Sequence, residues 1–327
     1  MPEPRTIPDK PAYAVIGSGA VGAYYGGCLQ RLGREVHFHC YRDAEHIKRH
    51  GLRIDSHTGD FTLPVVRAYA DVNDMPRCDV VIVALKTTNN HHLPDLLPPV
   101  LKDDGVVLVL QNGLGIESQV GEIVGHERVM GGLCFICSHK IGPGHIHHTD
   151  YGRVEFADHT QDGKPAGITP RLRTVASDFE SAGNPVVLNE DLVLARWRKL
   201  VWNVPFNGLS VVLDTDTASI MADPTMRGRA HGLMREVQSA AKACTGRMID
   251  DDFVQMMLDW TDNMEPYLPS MKIDFDTGRP MEVEAIFGAP LRAARAAGCH
   301  VSGLAEVYEK LTAIETGRDT TKPGAGS

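Results

Sequence analysis

Lys199, Asn203 and Asn207 stand four residues apart in the run Trp197-Arg198-Lys199-Leu200-Val201-Trp202-Asn203-Val204-Pro205-Phe206-Asn207. In a helix that spacing stacks all three on one face. One ammonium and two amides among apolar neighbours suit a small polar substrate better than a packed core. Two tryptophans flank the lysine, and partial withdrawal from water moves a lysine's pKa towards neutrality, where it can give up a proton. Such a face can donate a proton to an oxygen that is gaining negative charge.

A second signature sits near the other end of the chain. Tyr13-Ala14-Val15-Ile16 reads as a short strand, Gly17-Ser18-Gly19-Ala20-Val21-Gly22 follows at once, and a helical stretch runs to Leu32 and stops at Gly33. Strand, glycine-rich turn and helix form the context in which GxGxxG binds a dinucleotide. Gly17 permits the tight turn, Gly19 lets a pyrophosphate approach the backbone, and Gly22 lets helix pack on strand. The turn and helix start, Ser18, Ala20 and Val21 included, offer free N–H groups and a positive dipole end to phosphate. A nicotinamide delivering hydride while Lys199 protonates the oxygen would be a reductase.

The second strand, Val36 to Cys40, indicates which nucleotide. An NAD site usually ends this strand on Asp or Glu, which holds the ribose hydroxyl. Here no acid stands at 39 to 41, and Tyr41-Arg42 follows. Arg42 suits a 2′-phosphate and can stack on adenine, so the expected cofactor is NADP(H). The alternative is a solvated Arg42 with Asp43 on the ribose.

The elements around these residues predict an α/β protein. Asp79 to Leu85 and Gly105 to Leu110 are β-branched runs of the kind found in buried parallel strands. Each ends in polar residues, and ligands bind at the carboxyl ends of such strands, so Lys86 and Asn112 are expected to look towards the cofactor. The plainer roles are a loop lysine and a turn former before Gly113. Residues 129–156 read as extra strands extending the sheet. Within them, His139, His145, His147 and His148 invite a metal reading, but the alternation at 145 and 147 is equally the polar face of an edge strand, no regular ligand triad with a carboxylate is evident, and no metal is expected. Cys134-Phe135-Ile136-Cys137 is a lone CxxC, read as buried thiols.

At 327 residues, 43% hydrophobic and 23% charged, the chain predicts about two domains: 1–188, binding NADP, and 189–327, helical and catalytic. A formal charge of −9 without a basic block argues against nucleic acid. No apolar run reaches the ~18 residues of a membrane span. Seven cysteines, an odd number, read as reduced cytoplasmic thiols. Residues 1–11 and 316–327 read as loose tails. Ser270 and Glu282, taken alone, are a helix N-cap and a solvated helix residue, with Glu282 and Glu284 facing different sides of a helix.

Gly17-x-Gly19-x-x-Gly22, Lys86, Gln111-Asn112-Gly113, the Lys199, Asn203, Asn207 series, Ser270-Met271 and Glu282-Val283 together resemble the ketopantoate reductase family. The resemblance covers residues 12–315. It implies an N-terminal Rossmann-type doubly wound sheet, a C-terminal all-helical domain and NADPH-dependent reduction of a 2-keto acid. It also implies that Lys199 is the general acid, oriented by Glu282. Asn203 and Asn207 would bind the substrate's oxygen groups, Ser270 its carboxylate, and Asn112 would lie near nicotinamide and substrate. A homodimer is the assembly to expect. Three departures stand out. Asp216-Thr217 occupies the place of a third asparagine in some members. Arg42 falls one place later than the usual arginine, and Pro290 interrupts the helix after Glu282. The rival readings are a reductase of another 2-keto acid and a non-catalytic NADP(H) sensor.

Overall fold

Apolar strands alternate with helices up to Leu192, and past it there are only helices among the described residues. A computed structural model describes residues 7–321. Backbone contacts divide the chain into two units, one of residues 1–111 and 116–192 and one of 112–115 and 193–327. The division falls at 192, four residues past the expected 188, and places 112–115 with the second unit.

In the first unit the parallel core is built from β1 (Tyr13–Ile16), β2 (Val36–His39), β5 (Arg67–Tyr69), β6 (Cys78–Val83), β7 (Leu101–Val109) and the start of β8 (Val129–Gly142). Its order is β5-β2-β1-β6-β7-β8, every neighbour parallel. The order reverses beside β1, as in a doubly wound Rossmann-type sheet. β6 is the run Cys-Asp-Val-Val-Ile-Val with every residue buried, as a strand covered on both faces requires. Between these strands run α1 (Ala20–Arg31), α2 (Ala44–His50), α3 (Leu93–Leu96) and α4 (Ile116–Val124), with α5 (Pro170–Ser181) following the last long strand.

Beyond β8 the sheet becomes mixed. β8 and β9 (His145–Asp158) form an antiparallel hairpin of two 14-residue arms. β3 (Leu52–Ser56) lies parallel to β9, β4 (Phe61–Leu63) closes that edge, and β10 (Val186–Leu188) also pairs with β9. This corrects the reading of His145 and His147 as an edge-strand face. β3 pairs with residues 145–148, so β9 is interior there. Its histidines are placed individually. His145 pairs with Asp55, and His148 is fully buried against Tyr24 and His57.

The second unit is helical, with its own core around Trp197, Phe206, Met234, Phe287 and Leu304. Its helices are α6 (Leu192–Val212), α7 (Thr217–Ala222), α8 (Pro224–Thr245), α9 (Asp251–Asp262), α10 (Ser270–Asp276), α11 (Ala289–Ala296) and α12 (Ser302–Thr321). Asp216 and Asp223 cap α7 and α8 with side-chain oxygens, each supplying the acceptor that first-turn amides lack. The expected break at Pro290 takes a specific form. Glu284–Gly288 is a π-helical turn, the Ala289 amide reaches the Glu284 carbonyl, and Pro290 sits in the first turn of α11. A proline has no N–H to return to the preceding turn, and widening the helix just before it accommodates that loss.

Two expectations are corrected here. Glu282 lies just before this helical segment, not inside it. The expected loose tail from Thr316 is helical through Thr321, where it completes α12. At the other end Ile7 packs against the core and Pro11 is buried, while residues 1–6 and 322–327 lie outside the described residues.

Candidate functional site

In the first unit the glycine turn joins β1 to α1. Gly17 has φ +101°, and a Cβ there would lie 2.3 Å from the Leu85 amide nitrogen, so only glycine makes this turn without strain. A Cβ on Gly22 would lie 2.2 Å from the Gly17 carbonyl oxygen and 3.0 Å from Val15, because α1 packs directly on β1. Gly19 differs from both, with nothing within 4 Å of its would-be Cβ. It precedes α1, no side chain caps the helix, and the first turn carries no acid. Ser18 is buried beside it, while Ala20 and Val21 open the helix. Open space over an uncapped helix N-terminus is the arrangement a pyrophosphate fits.

At the end of β2, Tyr41 has φ +33° and is 72% exposed, with the Arg42 guanidinium 5.9 Å from its ring centre. Arg42 is exposed and lies in the turn where a ribose would be read. Lys86 opens the short 3₁₀ turn after β6, its carbonyl accepting from the Asn89 amide. Gln111 Nε2 donates to the Leu85 carbonyl at 2.8 Å and to Asn90 Oδ1 at 2.6 Å, which ties the ends of β6 and β7 together.

In the second unit α6 carries Lys199, Asn203 and Asn207 at helical spacing, about 6 Å of rise between successive members. Asn203 and Asn207 are buried, and Lys199 is partly exposed. Asn207 meets α10 directly. Its Oδ1 accepts from the Met271 amide at 3.1 Å and from Ser270 Oγ at 3.4 Å. Ser270 is the exposed first residue of α10 and makes no capping bond. Glu282 is 7% exposed, and its carbonyl accepts from the Ile286 amide. Glu284, by contrast, is exposed and bonds Tyr308 and Arg292 at the surface. Asn112 belongs with this unit, where the Leu114 amide donates to the Ala285 carbonyl at 3.0 Å.

Sequence reasoning passed over the residues that hold the Ser270 loop. Thr217 N–H donates to the Tyr267 carbonyl at 3.1 Å, and Tyr267 N–H donates to Thr217 Oγ1 at 3.2 Å. Lys272, 5% exposed, pairs with Asp214 at 2.8 Å and also with Asp276. The loop and α10 are thereby fastened to the end of α6 and the start of α7. Asp216-Thr217 was visible in the sequence only as a departure, although Asp before Thr is an N-cap signal. Among the described residues no group of three His, Cys, Asp or Glu could hold a metal ion. No helix among them is long and apolar enough to cross a membrane.

The profile of the family described as "Ketopantoate reductase PanE/ApbA" matches residues 13–161, and that of its C-terminal domain matches residues 191–315. A 2-dehydropantoate 2-reductase from Nostoc sp. is 51% identical over 309 residues, covering 94% of this chain and 96% of that protein. The solved 2-dehydropantoate 2-reductase of Geobacter metallireducens superposes with a TM-score of 0.89 at 39% identity, over 92% of this chain and 99% of its own. That of Methylococcus capsulatus gives 0.86 at 32% identity, over 97% of this chain and 100% of its own. With both units matched, and relatives of this identity aligned over nearly its whole length, the chain belongs to the ketopantoate reductase family.

Proposed function

We propose that this protein reduces 2-dehydropantoate to pantoate with NADPH, with Lys199 as the proton donor. The observation that supports the reading is the hydrogen bond from Ser270 Oγ to Asn207 Oδ1, which holds that hydroxyl beside the helix that bears Lys199. In the first unit Gly17 to Gly22 would hold the pyrophosphate, Arg42 the 2′-phosphate, and Lys86 would lie along the nucleotide. When bound, NADPH supplies the hydride that reaches the keto carbon. In the second unit Ser270 binds the substrate carboxylate, Asn203 and Asn207 hold its oxygen groups, and Asn112 lies near the reacting carbon. Lys199 stabilises the growing oxyanion and protonates it, and Glu282 orients the ammonium. The domains that do this are taken as 1–188 and 189–327, with Asn112 acting with the second.

Free thiols at all seven cysteines suit the cytoplasm, which is the compartment we assign. A homodimer is the assembly we propose, to be measured by light scattering. A second reading, a different 2-keto acid, is favoured by one observation. Asp216 and Thr217, at the place of the third asparagine, are committed to a helix cap and to Tyr267. The experiment is NADPH oxidation by the purified protein with 2-dehydropantoate, then with NADH, then with a panel of 2-keto acids. Fast turnover with 2-dehydropantoate and NADPH supports the first reading. Turnover only on another acid moves it to the second, and no turnover on any overturns both.

A further inference from the structure

We propose that Lys140 sets the nucleotide preference of the first unit by neutralising Asp43, which leaves Arg42 as the uncompensated charge in the turn after β2. The inference rests on the NADP(H) reading above and adds a residue to it from a distant part of the chain.

An acid in this turn favours the 2′-hydroxyl of NAD and works against a 2′-phosphate. This chain has such an acid, Asp43, directly after Arg42. Asp43 is fixed in the turn. Its amide donates to the Cys40 carbonyl at 2.8 Å, and its carbonyl accepts from Ile47 at 2.9 Å as α2 begins. Its carboxylate makes no side-chain cap to α2. Alone, it would cancel Arg42.

Lys140 prevents this. Its ammonium pairs with the Asp43 carboxylate, the two side chains being 33% and 14% exposed, so the pair is partly withdrawn from salt and water. The fold brings it there. Lys140 lies opposite Ile146 near the tip of the β8–β9 hairpin. That tip is held close to α2, for a Cβ on Gly144 would lie 3.1 Å from Ile47 and 2.9 Å from the Gly51 carbonyl. The Gly144 carbonyl also accepts from the Arg53 amide at 2.8 Å, which pins the hairpin to β3. The other charges of α2 form an exposed group in which Glu45 pairs with Lys48 and Arg49. The turn itself therefore carries Arg42, Asp43 and Lys140, a net single positive charge.

The test measures NADPH and NADH dissociation constants by titration calorimetry on the full chain and four variants. Wild type should bind NADPH more tightly than NADH. Lys140→Met should cut that preference about tenfold, the scale of one nearby charge in a partly solvated site. Lys140→Arg should keep the preference, which separates charge from misfolding. Asp43→Asn should keep it or raise it, and Lys140→Met with Asp43→Asn should restore it, because a lysine that acts through Asp43 is dispensable once Asp43 is neutral. A double variant as impaired as Lys140→Met would mean that Lys140 meets the nucleotide itself, and would overturn the proposal. So would an unchanged ratio in Lys140→Met. Wild type that binds both nucleotides equally overturns it while leaving a dinucleotide site, and wild type that binds neither overturns the cofactor reading with it.

Discussion

Asn207 Oδ1 accepts two hydrogen bonds from α10, from the Met271 amide at 3.1 Å and the Ser270 hydroxyl at 3.4 Å. Met271 is fully buried, so water cannot replace the acceptor there. Asn207→Ala should cost about 1–3 kcal/mol of stability, the penalty of a buried donor left unpaired. It should also raise the KM for the keto acid, because Ser270 loses its anchor. Urea unfolding and initial rates measure the two effects. If neither moves, α10 is held by Lys272 and Thr217 alone.

Removing the proposed proton donor should affect the chemical step. Lys199→Ala is expected to lower kcat about 10²–10⁴-fold, the usual value of a positioned general acid. The dissociation constant for NADPH, measured by calorimetry, should stay where it was. Near-normal turnover would take Lys199 out of the reaction.

Glu282 is buried while Glu284, two residues on, is exposed. Glu282→Gln keeps the size and loses the charge, so turnover should fall while the melting temperature holds. Glu284→Gln serves as the control and should leave both unchanged. Equal, undiminished rates in the two variants would return Glu282 to a structural role.

The paired bonds between Thr217 and Tyr267 predict a positioning effect without direct contact to the reacting atoms. Thr217→Val removes the acceptor for the Tyr267 amide and should raise the keto-acid KM severalfold with little change in kcat. Thr217→Ser keeps a hydroxyl and should restore most of it. A fall in kcat alone would point to a different role.

Two buried histidines predict how stability follows pH. Burial holds His148 below the ordinary histidine pKa, helped by His57, and burial likewise lowers His159, with His126 adding to it. His148 Nε2 faces the Asp150 and Tyr151 carbonyls, both at 3.1 Å, so it carries the proton and Nδ1 accepts from Ser56 at 2.8 Å. Groups with depressed folded values contribute stability that is complete above the unfolded pKa of about 6.5 and is lost as pH falls through the folded values. The melting temperature should be flat above about pH 7 and fall towards about pH 5. The fall should be shallower in His148→Gln and His159→Gln, measured by calorimetry. An identical slope in both variants would assign the acid sensitivity to other groups.

Local signals in the sequence were legible where neighbours in the chain are neighbours in space. The glycine turn needs only β1 and the start of α1, and the Lys199 series needs only the period of α6. Contacts across sequence distance left no such trace. Asn207 and Ser270 are 63 residues apart, and Thr217 and Tyr267 are 50 apart. β3 and β4 are short, and they turned a supposed edge at β9 into an interior strand. Pro290 was visible as a helix breaker, but the π turn that accommodates it depends on how the preceding backbone packs.

Because Asn112–Gly115 packs with the helices, the second unit is assembled from two stretches of chain. A gene fragment cut after Leu192 would encode the helices of the second unit and yet lack the strip whose Leu114 amide meets Ala285. Exchange of halves between relatives therefore has a hidden condition. The loop after β7 must be inherited with the helices it packs on, and a chimera that ignores this joins two pieces that were shaped for other partners.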